Sequence, residues 1–275
     1  MMTWRHTQEW LKHCSTLVQY EATEENPDGL AAAANWYTTR FEQLGFSVKN
    51  IENKDAPYRP LLVAVRPPEN GCKTYVGFFQ HYDVEPVQGK WDCNPWALTE
   101  RELRAYGRGM ADNIGPFIHR LLFIEHTPLD VGLVFVVQGE EEIGSPFADI
   151  MYPMLELPEV ALWIEETGYF YKNGSQRVMT VGNHGLLDDL VNLLANVNNN
   201  FGRKTRHRKR PLNKAFGAER CPCLAHLLKG KPYISIGPND DHSTVHGPNE
   251  SISLELLEES AAHLKAILEH VGALK

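Results

Sequence analysis

The sequence predicts an α/β protein, a three-layer sandwich with a mainly parallel central sheet and helices on both faces. Three observations carry that prediction. Five short runs, residues 61–65, 74–79, 131–137, 160–164 and 233–236, are mostly apolar and rich in β-branched or aromatic side chains, as strands buried on both faces are. Stretches with apolar residues at helical spacing fall between several of these runs, and such alternation produces parallel neighbours joined by crossover helices. The chain has 275 residues, 43% of them hydrophobic and 23% charged, which suffices for one substantial core.

The elements follow in order. Asn26-Pro27-Asp28 leads into an alanine-rich helical stretch over residues 29–44, closed by Gly45. Residues 117–126, 147–157 and 186–197 have helical patterning, and Leu257, Ala261, Leu264, Leu268 and Val271 step by four and three along a C-terminal helix. One compositional break interrupts this pattern. Asn196, Asn198, Asn199 and Asn200 precede Arg203, Lys204, Arg206, Arg208, Lys209 and Arg210, which reads as a short basic, solvated connection around residues 198–214. Nucleic-acid binding there is the weaker reading, because Phe201 alone is available to stack on bases. No internal repeat is present, and residues 1–275 read as a single domain.

The formal net charge of −8 opposes nucleic acid and anionic membranes as general partners. The five cysteines, Cys14, Cys72, Cys93, Cys221 and Cys223, are odd in number, so at least one lacks an intrachain disulfide partner. That usage fits a reducing compartment. The first 19 residues carry Arg5, His6, Lys12 and His13 and no apolar run long enough for a signal peptide or a membrane span, which leaves the cytoplasm as the expected location.

Five polar segments stand directly after apolar runs or open a helical one. They are His81-Tyr82-Asp83, the glycine-punctuated loop from Tyr106 to Asp112-Asn113, Glu140-Glu141-Glu142, Glu165-Glu166, and the loop from Asp240 to Glu250 that contains His242 and His246. Each alone reads as a turn, a helix cap or a solvated acidic loop. Three consecutive carboxylates at a buried strand end repel one another unless something positive lies among them. Together the segments bring His, Asp, Glu, Glu and His to strand ends, where open α/β sheets place their ligands. That mixed imidazole and carboxylate set suits a borderline divalent ion such as zinc.

The same residues resemble the M20 family of metallopeptidases, which includes dipeptidases, carboxypeptidases and deacylases of N-acyl amino acids. The resemblance covers residues 81–87, 91–98, 107–113, 139–146 and 246–250, runs in order through Glu165, and resumes near Phe216. Its wording is nearest the dipeptidase, carnosinase-like branch. The resemblance implies a zinc-exopeptidase-like fold and two divalent ions, zinc ahead of manganese or cobalt. It also implies that His81 and Glu165 each bind one ion, with Glu166 the adjacent alternative, that Asp112 bridges both, and that Glu142 and His246 complete the shell. Asp83 then orients His81, and Glu141 is the general base that takes a proton from the attacking water. A cis peptide is implied after Asp112. The implied reaction is hydrolysis of an amide bond in a small peptide or an N-acyl amino acid; the alternative is a degenerate member that binds metal or ligand without turnover.

The chain departs from the family in one interval. Gly182-Asn183-His184-Gly185 resembles the entry to the family's lid and dimerisation domain, but family-like sequence returns by about residue 215. The helix at 186–197 occupies much of that interval, leaving fewer than the roughly 50 residues a domain needs. The lid is therefore expected to be absent, the site more open, and the protein a monomer. The usual glycine-serine substrate loop is replaced by residues 217–222, where Arg220 is expected to be an exposed loop residue. His119, His126, His226 and His242 are expected to be structural or surface groups.

Overall fold

The apolar runs pair into one ten-stranded mixed sheet. The computed structural model describes residues 4–69, 71–165, 168–182, 185–210 and 224–274. Glu166, His184, Arg220, Cys221 and Cys223 lie outside the described residues. The strands in chain order are β1 (Ser47–Ile51), β2 (Leu61–Arg66), β3 (Tyr75–His81), β4 (Thr99–Arg101), β5 (Arg104–Tyr106), β6 (Gly132–Gln138), β7 (Val160–Glu165), β8 (Tyr169–Phe170), β9 (Ser175–Val181), β10 (Lys204–Arg210), β11 (Tyr233–Ser235), β12 (Asn239–Asp240) and β13 (Ser251–Ser253). The helices are α1 (Thr7–Val18), α2 (Pro27–Gln43), α3 (Ile114–Glu125), α4 (Pro146–Met151), α5 (Gly185–Asn200), α6 (Leu224–Leu228) and α7 (Leu256–Gly272).

At the centre β6, β3, β7 and β11 run parallel, with His81 opposite Gln138 and Ser235 opposite Glu165. The carboxyl ends of these four strands therefore form one edge. Antiparallel β2 and β1 extend the sheet on one side, and antiparallel β9 joins β11 on the other. All seven residues of β6 are buried, so a charged side chain anywhere along it would be stranded without solvent.

Two cores flank the sheet, which gives the expected three layers. On one face α1, α2, α3, α5 and α7 cover Phe78 and Phe135, whose rings stack with centroids 4.5 Å apart. On the other face α4, α6 and a 3-10 turn at Tyr152–Met154 cover Phe79, Val136, Trp163 and Tyr233. Burying one such aromatic or aliphatic side chain stabilises by about 1.5–3 kcal/mol, so both layers hold the sheet in place.

Local signals explain most boundaries. Asn26 Oδ1 accepts the Gly29 N–H at 3.1 Å, and Pro27 occupies the first turn of α2, where its missing N–H costs no bond. The expected helix over residues 147–157 is shorter than its pattern. Pro153 cannot continue an α-helix, and the chain tightens into the 3-10 turn after α4.

The basic segment is corrected more fundamentally. Asn198 is buried within α5, and Lys204–Arg210 form β10, which pairs parallel with β9 over its whole length. The charges are compatible with a strand because the segment lies at the sheet edge, where basic side chains also discourage pairing with another chain. Arginine stems cover aromatic rings as well: the Arg203 guanidinium lies 5.0 Å from the Phe170 centroid and that of Arg206 lies 5.1 Å from Tyr171.

Candidate metal centre

His81 closes β3 with its ring buried. Its Nδ1 lies 3.0 Å from the Asp83 carbonyl oxygen and 3.4 Å from Asp83 Oδ1, while its Nε2 points at Asp112 Oδ1, 3.0 Å away. Nδ1 is thereby held against oxygen acceptors, which leaves the Nε2 lone pair for whatever Asp112 shares with it. The second Asp83 oxygen accepts the Glu142 N–H at 3.0 Å, so this one side chain links the end of β3 to the loop after β6.

Asp112 reaches the site from the loop before α3, across a cis peptide to Asn113. Its Oδ2 lies 3.2 Å from His246 Nε2, so its two oxygens face two different imidazoles. His246 Nε2 is also 3.1 Å from Glu142 Oε2, and its Nδ1 is 3.9 Å from Glu85 Oε1. Among the described residues, donor atoms of His81, Asp112 and Glu142 converge within 4.8 Å of one another, as do those of Glu85, Glu142 and His246. Glu165 ends the neighbouring β7 but belongs to neither trio. Its backbone carbonyl accepts from Arg120 Nη2, which also donates to the Ile236 carbonyl at 2.8 Å.

Electrostatics show what the cluster requires. Burial pushes Glu141 up to about 8 and Glu142 to about 7, and the neighbouring Asp112 charge adds to both. Burial also opposes charge on Asp112, yet bonds to His246 and His81 hold its carboxyl well below the usual range. His246 rises to about 10 despite its burial, because Asp112 and Glu142 hold a proton on it. The acids gathered here thus call for positive charge. The donor set fits divalent metal: four-coordinate zinc with bonds of about 2.0–2.2 Å separates neighbouring donors by about 3.3–3.6 Å. The spacings of 3.0, 3.1 and 3.2 Å around Asp112 and Glu142 approach that, and Glu142 Oε1 is buried without a hydrogen-bond partner.

Several groups that position this cluster were not singled out from sequence. Glu250 is buried beneath the Asp112 loop, Arg108 pairs with it at 2.6 Å, and Glu85 faces His246. Arg108 and Glu250 lie in the glycine-punctuated motifs around residues 107–113 and 246–250, and two opposite charges in such motifs were the available signal. His119 is structural, as expected, with Nε2 2.8 Å from the Leu257 carbonyl oxygen. His242 is exposed.

A parallel-centred sheet flanked by two helical layers, with imidazoles and carboxylates gathered at its carboxyl edge, defines the class as a three-layer α/β sandwich with a candidate metal centre. The chain belongs to Peptidase family M20/M25/M40, whose profile matches residues 77–270. It is 35% identical over 127 residues to the Cysteinylglycine-S-conjugate dipeptidase of Corynebacterium striatum, covering 44% of this chain and 27% of that protein. It is 32% identical over 123 residues to the Beta-Ala-His dipeptidase of Mus musculus, covering 38% and 24%. The matches therefore span about a quarter of the length of these curated relatives. In fold it is similar to an M20 family metallo-carboxypeptidase from Sulfolobus solfataricus, with TM-score 0.79, 14% identity and coverage of 97% of this chain and 100% of that one. Human carnosine dipeptidase 1 is also similar, with TM-score 0.78, 11% identity and coverage of 98% and 97%.

Proposed function

We propose that this chain is a metal-dependent hydrolase that cleaves the amide bond of a small peptide or an N-acyl amino acid. The observation that carries the reading is the Asp112 carboxylate, which turns Oδ1 to His81 and Oδ2 to His246 as a bridge between two cations requires. His81 and Glu165 would hold one ion each, Asp112 both, and Glu142 and His246 would complete the set. When bound, a pair of divalent ions, zinc ahead of manganese or cobalt, would supply the Lewis acidity that hydrolysis of an amide needs. Asp83 fixes the His81 tautomer. Glu141, a mostly buried side chain beside the cluster, is the base: ionised, it accepts a proton on its carboxylate oxygen and returns it to the departing amine. Membership of the M20 family and the dipeptidase names of its relatives support a dipeptide first.

The reading extends to the whole chain. Residues 185–210 form α5 and β10, which pack on α7 and β9 of the same sheet, so we propose one catalytic domain without a separate lid. A monomer in the cytoplasm is the companion proposal. No helix among the described residues is long and apolar enough to cross a membrane. The test combines metal analysis with a panel of dipeptides and N-acyl amino acids, before and after chelation. Expected are at least two ions per chain and chelator-sensitive hydrolysis, with Glu141→Gln abolishing turnover at unchanged metal content. Metal bound without turnover across the panel overturns the hydrolase reading, and metal loss in Glu141→Gln overturns the assignment of the base.

A further inference from the structure

A second convergence of donors lies in the helical layer, away from the sheet edge. His6 is the N-cap of α1, Glu9 is in its first turn, and His126 is the C-cap of α3. Three residues apart, His6 and Glu9 share one face of the helix start. The His6 and His126 rings stack with centroids 3.9 Å apart and planes 3° apart. His126 Nε2 lies 2.9 Å from Glu9 Oε2, and His6 Nδ1 lies 4.0 Å from the same oxygen. On the other side of that carboxylate, His13 Nε2 is 3.9 Å from Glu9 Oε1. Three imidazoles from two helices thus surround one carboxylate.

We propose that His6, Glu9 and His126 form an additional site for a divalent transition-metal ion of the zinc class, which clamps α1 to α3. A hydrogen bond accounts for the His126–Glu9 contact, but 4.0 Å is too long for one, so it does not explain why His6 Nδ1 converges on the same oxygen. The spacings of 2.9 and 4.0 Å bracket the donor separation of about 3.3–3.6 Å that zinc imposes. The stacked rings aim their in-plane lone pairs side by side, so the set closes when one imidazole turns out of the stack to face the ion. One donor atom from each of the three residues already lies within 4.8 Å of the others.

The surroundings admit an ion. His6 and His126 border a cavity of about 550 Å³ with Trp4, Phe123 and Pro128, which leaves an open coordination position for water or a carboxylate. Arg5 Nε donates to His6 Nε2 at 2.8 Å. Binding through Nδ1 moves the ring proton to Nε2 and displaces this guanidinium, and Arg5, being exposed, turns into solvent. The carboxyl end of α3 favours a cation at His126, whereas the amino end of α1 disfavours one at His6. The full charge on Glu9 outweighs that opposing partial charge.

The test is equilibrium dialysis of the metal-stripped full chain against micromolar zinc, with bound ions counted in wild type, His126→Gln and Glu9→Gln. Imidazole nitrogen NMR is recorded on the same samples. Each variant is expected to bind one ion per chain fewer than wild type, and zinc is expected to shift the His6 and His126 resonances in wild type only. Glu9→Gln keeps both rings and tests the site even if His126→Gln fails to fold. Equal ion counts in all three proteins, or zinc-insensitive His6 and His126 resonances, overturn the proposal.

Discussion

Glu250 Oε1 accepts the backbone N–H of Asp112 at 3.0 Å, and that of Ala111 at 2.8 Å, so a buried carboxylate holds in place the residue that faces both imidazoles. Its Oε2 takes Arg108 Nη1 at 2.6 Å, and Arg108 Nη2 reaches the His246 carbonyl oxygen at 3.1 Å. The pair therefore fixes the Asp112 and His246 loops relative to each other.

Glu250→Gln is expected to lower unfolding free energy by about 3–5 kcal/mol, because it leaves the Arg108 guanidinium buried without its counter-charge and turns an amide donor toward backbone donors. Denaturant melts of metal-free protein measure the loss. A change below about 1 kcal/mol would show that the pair is not what joins the loops.

Much of this centre was legible because its side chains follow recognisable strands. The run before His81 and the run before Glu140 are unbroken apolar stretches, and a polar residue at their ends stands out against them. The Arg108–Glu250 pair was not legible as a pair, since its partners are 142 positions apart and only the fold brings them together. β10 was hidden for a different reason. Its composition follows its place at the sheet edge, which periodicity within the segment does not encode. β8 and β12 have two residues each, too few for any alternation to register.

Gly77 lies in β3 against Trp163 of β7, and a Cβ added there would come within 2.5 Å of the indole. Trp163 is 2% exposed and has no room to withdraw. Gly77→Ala is expected to cost about 1–3 kcal/mol through overpacking. Adding Trp163→Leu should restore part of the loss, and strictly additive effects of the two changes would place the origin elsewhere.

His263 closes a buried ring of hydrogen bonds: Gln176 Nε2 donates to its Nδ1 at 3.1 Å, its Nε2 donates to Asn198 Oδ1 at 2.8 Å, and Asn198 Nδ2 donates to Gln176 Oε1 at 2.8 Å. Burial first, then the Arg203 charge, lowers His263 from 6.5 to about 3. Its folded pKa is thus depressed, so its contribution to stability is complete above pH 6.5 and is lost as pH falls toward 3. Across that window the unfolded chain takes up a proton that the folded chain refuses, a slope of about 1.4 kcal/mol per pH unit. His263→Gln should flatten the stability profile by about that amount between roughly pH 6 and 4. Parallel profiles for wild type and variant would contradict the assignment.

Metal removal supplies the sharpest test of the main centre, because the clustered carboxylates repel one another once no cation lies between them. Zinc bound only by the folded chain stabilises it by about 2.7 kcal/mol at a free concentration one hundred times the dissociation constant. For a chain of this size that corresponds to a rise in Tm of roughly 5 °C. The rise should vanish on chelation and fall steeply in Asp112→Ala, whose lost carboxylate serves both His81 and His246. Performing the melts in a Glu9→Gln background removes the contribution of the proposed α1–α3 site. A zinc-induced rise in that background unaltered by Asp112→Ala would mean that Asp112 does not join the two halves of the centre.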